Sequence, residues 1–182
     1  MFKYHVGQKI SMNPYLTGLF VGDGTMYLGK NWKYQVWIDQ HDKNIDILKK
    51  AVEILRKEGF NVCVYKVPGN KTRAYVCAKR LFIEFSEIRK NPVKYFLNLN
   101  EKEKKEFIAG FFDAEGTVTD RLVIYNGNIE LLQAIEKFLK ELGLICYIYR
   151  FGKILGIQIY RKKSVEKFVE QIRCIKISRL SG

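Results

Sequence analysis

The sequence predicts an α+β protein built as two related αββαββα halves. Three observations point there. The segment "YLTGLFVGDGTMYL" (15–28) returns as "FIAGFFDAEGTVTD" (107–120), both reading apolar, small, Gly, apolar, apolar, any, small, acid, Gly, Thr. The segments downstream of the two copies keep the same order, and within each half the apolar period alternates between helix-like and strand-like. A unit this long that occurs only twice is an internal pseudo-dimer rather than a solenoid.

Each element has a local cause. Asn13 caps a first helix with Pro14 in its first turn, ending near Gly22 or Gly24. "TMYL", the turn "GKN" and "WKYQVWI" make a hairpin with period-two alternation. Asp42 or Asn44 opens a helix with Ile45, Leu48, Val52 and Leu55 on one face, closed at Gly59. "NVCVYKV", "PGN" and "TRAYVCA" form a second hairpin, and "RLFIEFSEI" a closing helix. Residues 1–90 are thus one half, 91–105 a linker and 106–182 the other half. In the linker Pro92 stops the preceding helix, and Asn100 with Glu103 makes a capping-box start for the next. In the second half the hairpins run over 117–126 and 144–160, Asn128 caps a helix that closes at Gly143, and Ser164 caps the last one. Helices on one side of each four-stranded sheet leave its other face free.

Charge narrows the class. The 182 residues carry a formal charge of +13, with 11 Tyr, 12 Phe and 2 Trp. Disordered basic tails are poor in aromatics, so this is a folded protein whose partner is a polyanion, first of all nucleic acid. No apolar run reaches the roughly 20 residues of a spanning helix, and the N-terminus lacks a signal peptide's apolar stretch. The expectation is a protein that is not secreted and meets no membrane. Cys63, Cys77, Cys146 and Cys174 contain no C-x-x-C pair, and His5 and His41 are the only histidines, so a zinc site is not expected. The cysteines read as buried structural thiols in a reducing interior, a cytoplasm, nucleoid or organelle.

Small residues recur at helical spacing in both copies of the repeat, Gly18 and Gly22 in one, Gly110 and Ala114 in the other. Such faces let two helix backbones approach more closely than the usual 8–10 Å between axes. The repeated helices are expected to pack on each other, bringing Asp23 and Glu115 together at their C-terminal ends. Paired carboxylates there repel, and the helix ends add negative potential. Divalent cations resolve the conflict, oxygen ligands favouring Mg²⁺, and metal ions can activate water for phosphodiester hydrolysis. A single Asp-Gly after an apolar helix would be an ordinary turn; the duplication of acid and helix together favours the site.

The motifs "LTGLFVGDG" and "IAGFFDAEG" resemble the paired signature of the LAGLIDADG homing endonucleases in their monomeric, two-motif form. The resemblance covers nearly the whole chain. It implies a pseudo-twofold pair of halves, a central interface of the two motif helices, and two saddle-shaped antiparallel sheets lying on the DNA major groove. It implies Mg²⁺-dependent cleavage of both strands, possible also with Mn²⁺, leaving 3′ overhangs and promoting intron mobility. By position, Asp23 and Glu115 are the metal ligands, joined by the backbone carbonyls of Gly22 and Ala114. Gln40 and Asn126, at the ends of the second strands, would orient water, although both also suit turns. A basic residue after the fourth strand corresponds to Lys79 and Lys162, either stabilising charge on the phosphate or simply anchoring it. Two departures stand out. Val21 replaces the sixth-position acid that Asp113 keeps, and Val118 stands where some relatives carry a lysine.

Alternation along the hairpins nominates Tyr27, Lys30, Trp32, Lys33, Gln35, Trp37, Lys66, Lys71, Arg73 and Tyr75 for the DNA face. Thr119, Arg121, Tyr147, Tyr149, Arg150, Lys153, Gln158 and Arg161 are nominated from the second half. The halves differ at these positions, so a long non-palindromic site is expected, bound with steep salt dependence. Two alternatives share the fold: an RNA maturase assisting its host intron, and a non-cleaving DNA-binding regulator.

Overall fold

The computed structural model describes residues 12–178; residues 1–11 and 179–182, including His5 and the outer ends of both predicted halves, lie outside the described residues. The first half runs α1 (Pro14–Asp23), β1 (Gly24–Gly29), β2 (Lys33–His41), α2 (Ile45–Lys57), β3 (Cys63–Val67), β4 (Lys71–Cys77) and α3 (Lys79–Lys90). A short α4 (Pro92–Leu97) leads to the second half: α5 (Glu101–Glu115), β5 (Gly116–Val118), β6 (Leu122–Asn126), α6 (Ile129–Glu141), β7 (Cys146–Phe151), β8 (Ile154–Ile159) and α7 (Lys162–Gln171). One turn of helix, α8 (Ile175–Ser178), is the last described element and follows α7 as α4 follows α3 in the first half.

Each sheet is antiparallel, in the orders β1-β2-β4-β3 and β5-β6-β8-β7. The alternation fixes which face is which. Val36, Ile38, Ala74 and Val76 in one sheet, and Ile124, Ile157 and Ile159 in the other, are buried. They meet the apolar stripes of α2 (Ile47, Leu48, Ala51, Val52, Leu55) and α6 (Leu131, Leu132, Ile135, Phe138, Leu139). Among the described residues no helix covers the opposite faces.

Local chemistry sets the helix limits. Asn13 Oδ1 accepts from the Leu16 amide at 3.0 Å, and Asn128 Oδ1 from that of Leu131 at 3.0 Å. Asn100 and Glu103 form the complete capping box, with bonds of 3.0 and 2.9 Å. Gly59 and Gly143 sit at φ +84° and +77°, the left-handed turn that ends α2 and α6.

Several expectations change in detail. The predicted linker is largely helical: Pro92 starts α4, and Phe96 of that helix is fully buried, so this segment belongs to the core. A 3₁₀ turn over Asp42–Asn44 precedes α2, and Asn44 makes no side-chain cap bond to it. Ser164 does not cap α7, which begins two residues earlier behind Arg161. It is buried and accepts the Ile145 amide at 3.0 Å, tying α7 to the entry of β7. Only Cys146 and Cys174 are buried; Cys63 and Cys77 are exposed, because they pair with Tyr75 and Gln35 on the uncovered face of the first sheet.

Candidate active site

The site begins with two glycines. A Cβ on Gly18 would stand 2.0 Å from the Phe107 carbonyl oxygen, and one on Gly110 would stand 1.9 Å from that of Tyr15. These are reciprocal contacts, since Tyr15 and Gly18 occupy the places in the first motif that Phe107 and Gly110 occupy in the second. Helices α1 and α5 therefore touch backbone to backbone about a local twofold axis, at a separation only glycine permits. One turn further along, a Cβ on Gly22 would meet the Ala114 Cβ at 2.4 Å, and it would lie 3.7 Å from the Glu115 carboxyl carbon. The Glu115 carboxyl thus reaches the residue next to Asp23, as the repeat predicted.

Both acids are held above the ordinary carboxylate range. For Asp23 the main cause is burial, opposed by the Gln40 amide and the charges of Lys176 and Lys71 and reinforced by Asp39. For Glu115 burial is again the largest cause, and the Asp23 charge adds to it, against Lys176 and Asn126. A raised folded-state pKa means that the folded protein holds these protons more tightly than the unfolded chain does. Below the ordinary carboxylate range the pair therefore costs nothing. The penalty builds as pH rises through that range toward the folded values and is full above them. The double variant Asp23→Asn/Glu115→Gln is accordingly expected to melt a few degrees above the native protein at pH 7 without divalent ions, and level with it near pH 3. Thermal melts across that range check this.

Gln40 and Asn126 converge on the acids. The Gln40 amide nitrogen donates to Asp23 Oδ2, and that of Asn126 lies 3.5 Å from Glu115 Oε1. Both occupy the helix-facing parity of their strands, since Gln40 pairs with Thr72 and Asn126 with Leu155. Gln40 is buried, and Asn126 also receives the Asn128 amide at 2.9 Å, so the turn role and the site role coincide in that residue.

The basic residue beside the acids is one that the repeat did not indicate. Lys176 of α8 donates from Nζ to the carbonyl oxygens of Ala114 and Gly116, each at 2.9 Å. Burial lowers its pKa, against the opposing charges of Asp23, Asp113 and Glu115. Asp113 places it. Its fully buried carboxylate accepts the amides of Ile175 at 3.0 Å and Lys176 at 2.9 Å, and the Tyr15 hydroxyl at 2.7 Å. Asp113 thus caps α8 from the central helix pair. Val21 has no such task, because α4, which follows α3 as α8 follows α7, is capped locally by Asn91, whose side chain accepts the Lys94 amide at 2.9 Å. Lys176 escaped self-comparison because the corresponding second position of α4 is Val93.

Lys79 and Lys162 are not brought to the carboxylates. Lys79 opens α3 with its ammonium 5.7 Å from the Tyr34 ring. Tyr34 pairs with Leu28, toward the end of the β1–β2 hairpin away from Asp23. Lys162 opens α7 with a side chain that is 90% exposed, 4.0 Å from Glu166. Lys71 is the other cation the Asp23 carboxylate senses.

The uncovered face of the first sheet carries Tyr27, Lys33, Gln35, Trp37, Lys71, Arg73 and Tyr75, joined by Tyr65 and Asp39, which alternation had left out. Arg73 is bidentate to Asp39 at 2.7 and 2.8 Å, and its guanidinium lies 4.7 Å from the centre of the Trp37 ring. Lys30 and Trp32 occupy the β1–β2 turn, Trp32 at 74% exposure. Lys66 differs from expectation. It pairs with Thr72 on the helix-facing parity and forms an ion pair with Asp42 at 2.7 Å. Arg150 is at the equivalent register, opposite Leu155, and also points to the helix side of its sheet. In both cases the strand register sets the parity one residue away from the expected one. Tyr147, Tyr149 and Gln158 keep the uncovered parity. Thr119 and Arg121 lie at the β5–β6 tip, where Arg121 is bidentate to Asp120 at 2.9 and 2.7 Å. Lys153 is exposed in the β7–β8 turn, and Arg161 is exposed just before α7 at φ +69°.

The donor set suits a hard divalent cation. Among the described residues no three His, Cys, Asp or Glu side chains cluster for a metal. A cation here would draw on two carboxylates, backbone carbonyls at the helix ends and water, the ligand set that Mg²⁺ accepts. The carbonyls of Ala114 and Gly116 already accept a cationic donor, the Lys176 ammonium.

Two helices joined through glycine faces, with an acid at each shared end and two open sheets beside them, define a pseudo-twofold site of the LAGLIDADG type. Comparison with known proteins agrees. A LAGLIDADG-like domain is recognised over residues 102–173. The homing endonuclease I-DmoI of Desulfurococcus mucosus is 30% identical over 152 residues, covering 77% of this chain and 75% of its own. An uncharacterised protein of Methanocaldococcus jannaschii is 28% identical over 182 residues, and the chain spans 65% of its length. A crystal structure of an I-DmoI variant in complex with its target DNA and in the presence of Mn superposes with a TM-score of 0.71 at 26% identity, covering 90% of this chain and 93% of that one. The chain belongs to the LAGLIDADG homing endonuclease family.

Proposed function

We propose that the protein is a site-specific DNA endonuclease that hydrolyses both strands of a long, non-palindromic target at the Asp23–Glu115 pair, leaving 3′ overhangs and promoting mobility of its host intron. The observation that carries this is the convergence of the two carboxylates across the α1–α5 interface, each with an amide side chain on it. The I-DmoI structures solved with DNA and Ca or Mn support a duplex partner and a divalent cofactor.

Binding and cleavage divide between the sheets and the helix ends. The uncovered sheet faces, rich in Tyr, Trp, Lys, Arg and Gln, supply base and phosphate contacts in the major groove. Asp23 and Glu115, with the carbonyls of Gly22 and Ala114, would hold Mg²⁺ or Mn²⁺. A divalent ion bound there supplies an activated water and charge stabilisation for the leaving oxygen. Gln40 and Asn126 hold the two carboxylates and orient water through their amides. Arg73, locked on Asp39 and Trp37, presents a rigid donor fork suited to a guanine edge.

Cleavage of duplex DNA spanning the host intron's insertion point, followed on denaturing gels, tests this. The native protein with Mg²⁺ is expected to cut both strands. Asp23→Asn and Glu115→Gln are each expected to lose about 10³-fold or more in rate while binding the duplex as before. A native protein that binds this duplex and nicks neither strand overturns the nuclease assignment.

A further inference from the structure

We propose that Lys176 is a resident cation of the active site: before metal binds, its ammonium occupies carbonyl oxygens that a divalent ion would use, so that lysine and metal exclude one another at the Ala114 oxygen. The inference rests on the divalent-metal site proposed above.

Three independent features converge on it. The first is contact, since Nζ bridges the carbonyls of Ala114 and Gly116, which flank Glu115 in the chain. The second is a built mount. The Lys176 amide and that of Ile175 are both fixed by the buried Asp113 carboxylate, so the backbone that carries the lysine is clamped to α5 itself. The third is asymmetry in the sequence. The second motif keeps an acid at position 113 where the first has Val21, and it has Val118 where a basic residue would otherwise come after the motif. Helix α8 fits both departures at once, using the acid as its cap and bringing a lysine where the corresponding helix α4 has Val93.

Electrostatics accounts for the exclusion. The groups facing this ammonium are Asp23, Asp113 and Glu115, with Lys43 the opposing cation. Without metal, those acids would be clustered at the negative ends of two helices, and a lysine among them relieves the repulsion. A divalent ion sits about 2.0–2.6 Å from its oxygen ligands. An ammonium at 2.9 Å from the same oxygen would then be strongly repelled. The lysine stem has four rotatable carbons and the residue is only partly buried, so the ammonium can swing away while its backbone stays clamped.

Mn²⁺ titration of the full-length, DNA-free protein by electron paramagnetic resonance tests the proposal. Lys176→Met and Lys176→Gln are expected to bind Mn²⁺ at least roughly tenfold more tightly than the native protein, and Lys176→Arg to bind like it. In melts, Mn²⁺ is expected to raise the midpoint of the Met and Gln variants more than that of the native protein. The Gln variant retains a donor for the carbonyls and serves if the Met variant does not fold. Unchanged or weaker Mn²⁺ affinity in folded Met or Gln variants overturns the exclusion and leaves the metal site standing. Absence of Mn²⁺ binding from the native protein and every variant, with or without DNA, overturns the metal site and this inference together.

Discussion

Replacing Gly18 with alanine is expected to destabilise the protein by about 3 kcal/mol or more and to abolish cleavage. The added methyl carbon would lie 2.0 Å from the Phe107 carbonyl oxygen and 2.9 Å from the Phe111 amide nitrogen, and both are backbone atoms that cannot rotate aside. Only separation of α1 from α5 relieves the clash. That separation opens the core where Leu16, Leu19, Phe107 and Phe111 are fully buried, and it moves Asp23 away from Glu115. Gly110→Ala should behave alike, its Cβ meeting the Tyr15 carbonyl at 1.9 Å. Gly127→Ala is the control, because nothing lies within 4 Å of a Cβ there. Chemical denaturation of the three variants measures the difference. A Gly18→Ala protein as stable as Gly127→Ala would mean that the helix faces are not in contact.

Asp113→Ala is the second large effect, an expected loss of about 3–5 kcal/mol. Its carboxylate accepts three hydrogen bonds, from the Tyr15 hydroxyl and the amides of Ile175 and Lys176. Truncation leaves one buried and two part-buried donors without this acceptor, where α8 meets the helix pair. Burial, the largest cause of the raised Tyr15 pKa, persists in the variant, so ionisation offers no relief. The damage should also be directional. Residues 175–178 lose their cap and should exchange amide hydrogens much faster, while β1–β4 stay protected until global unfolding. Denaturant midpoints and hydrogen exchange read the two parts separately. The counterpart change Val21→Ala removes a half-buried side chain with no hydrogen bonds to lose and should cost far less.

Much of this arrangement was legible because the sequence states it twice. A lone "LTGLFVGDG" is compatible with any apolar helix entering a turn; the second copy fixes which of its positions carry meaning. Gly18 and Gly110 mark the contact face, and the acids mark the shared end. Caps at Asn13, Asn100 and Asn128 were readable because each uses a local side chain on its own helix. The hidden features depend on register or on distance in the chain. Lys66 and Arg150 change face with a shift of one residue in strand pairing, and no local signal sets that register. Cys63 and Cys77 lie on apolar-looking strands yet point to the uncovered face for the same reason. Lys176 could not be found by comparing halves, since the corresponding position of α4 is Val93. The sole clue was the unmatched acid at position 113, whose role becomes plain only when α8 is seen against it.

The central claim is that Asp23 and Glu115 share a divalent-cation site beneath bound DNA. Anomalous diffraction at the manganese edge, from crystals of the protein with its target duplex and Mn²⁺, tests it most directly. Manganese density in contact with carboxylate oxygens of both residues and with the Ala114 carbonyl, with the Lys176 ammonium moved off that oxygen, is the expected result. Manganese bound elsewhere, with the two carboxylates bare and Lys176 still seated on Ala114 and Gly116, would contradict it.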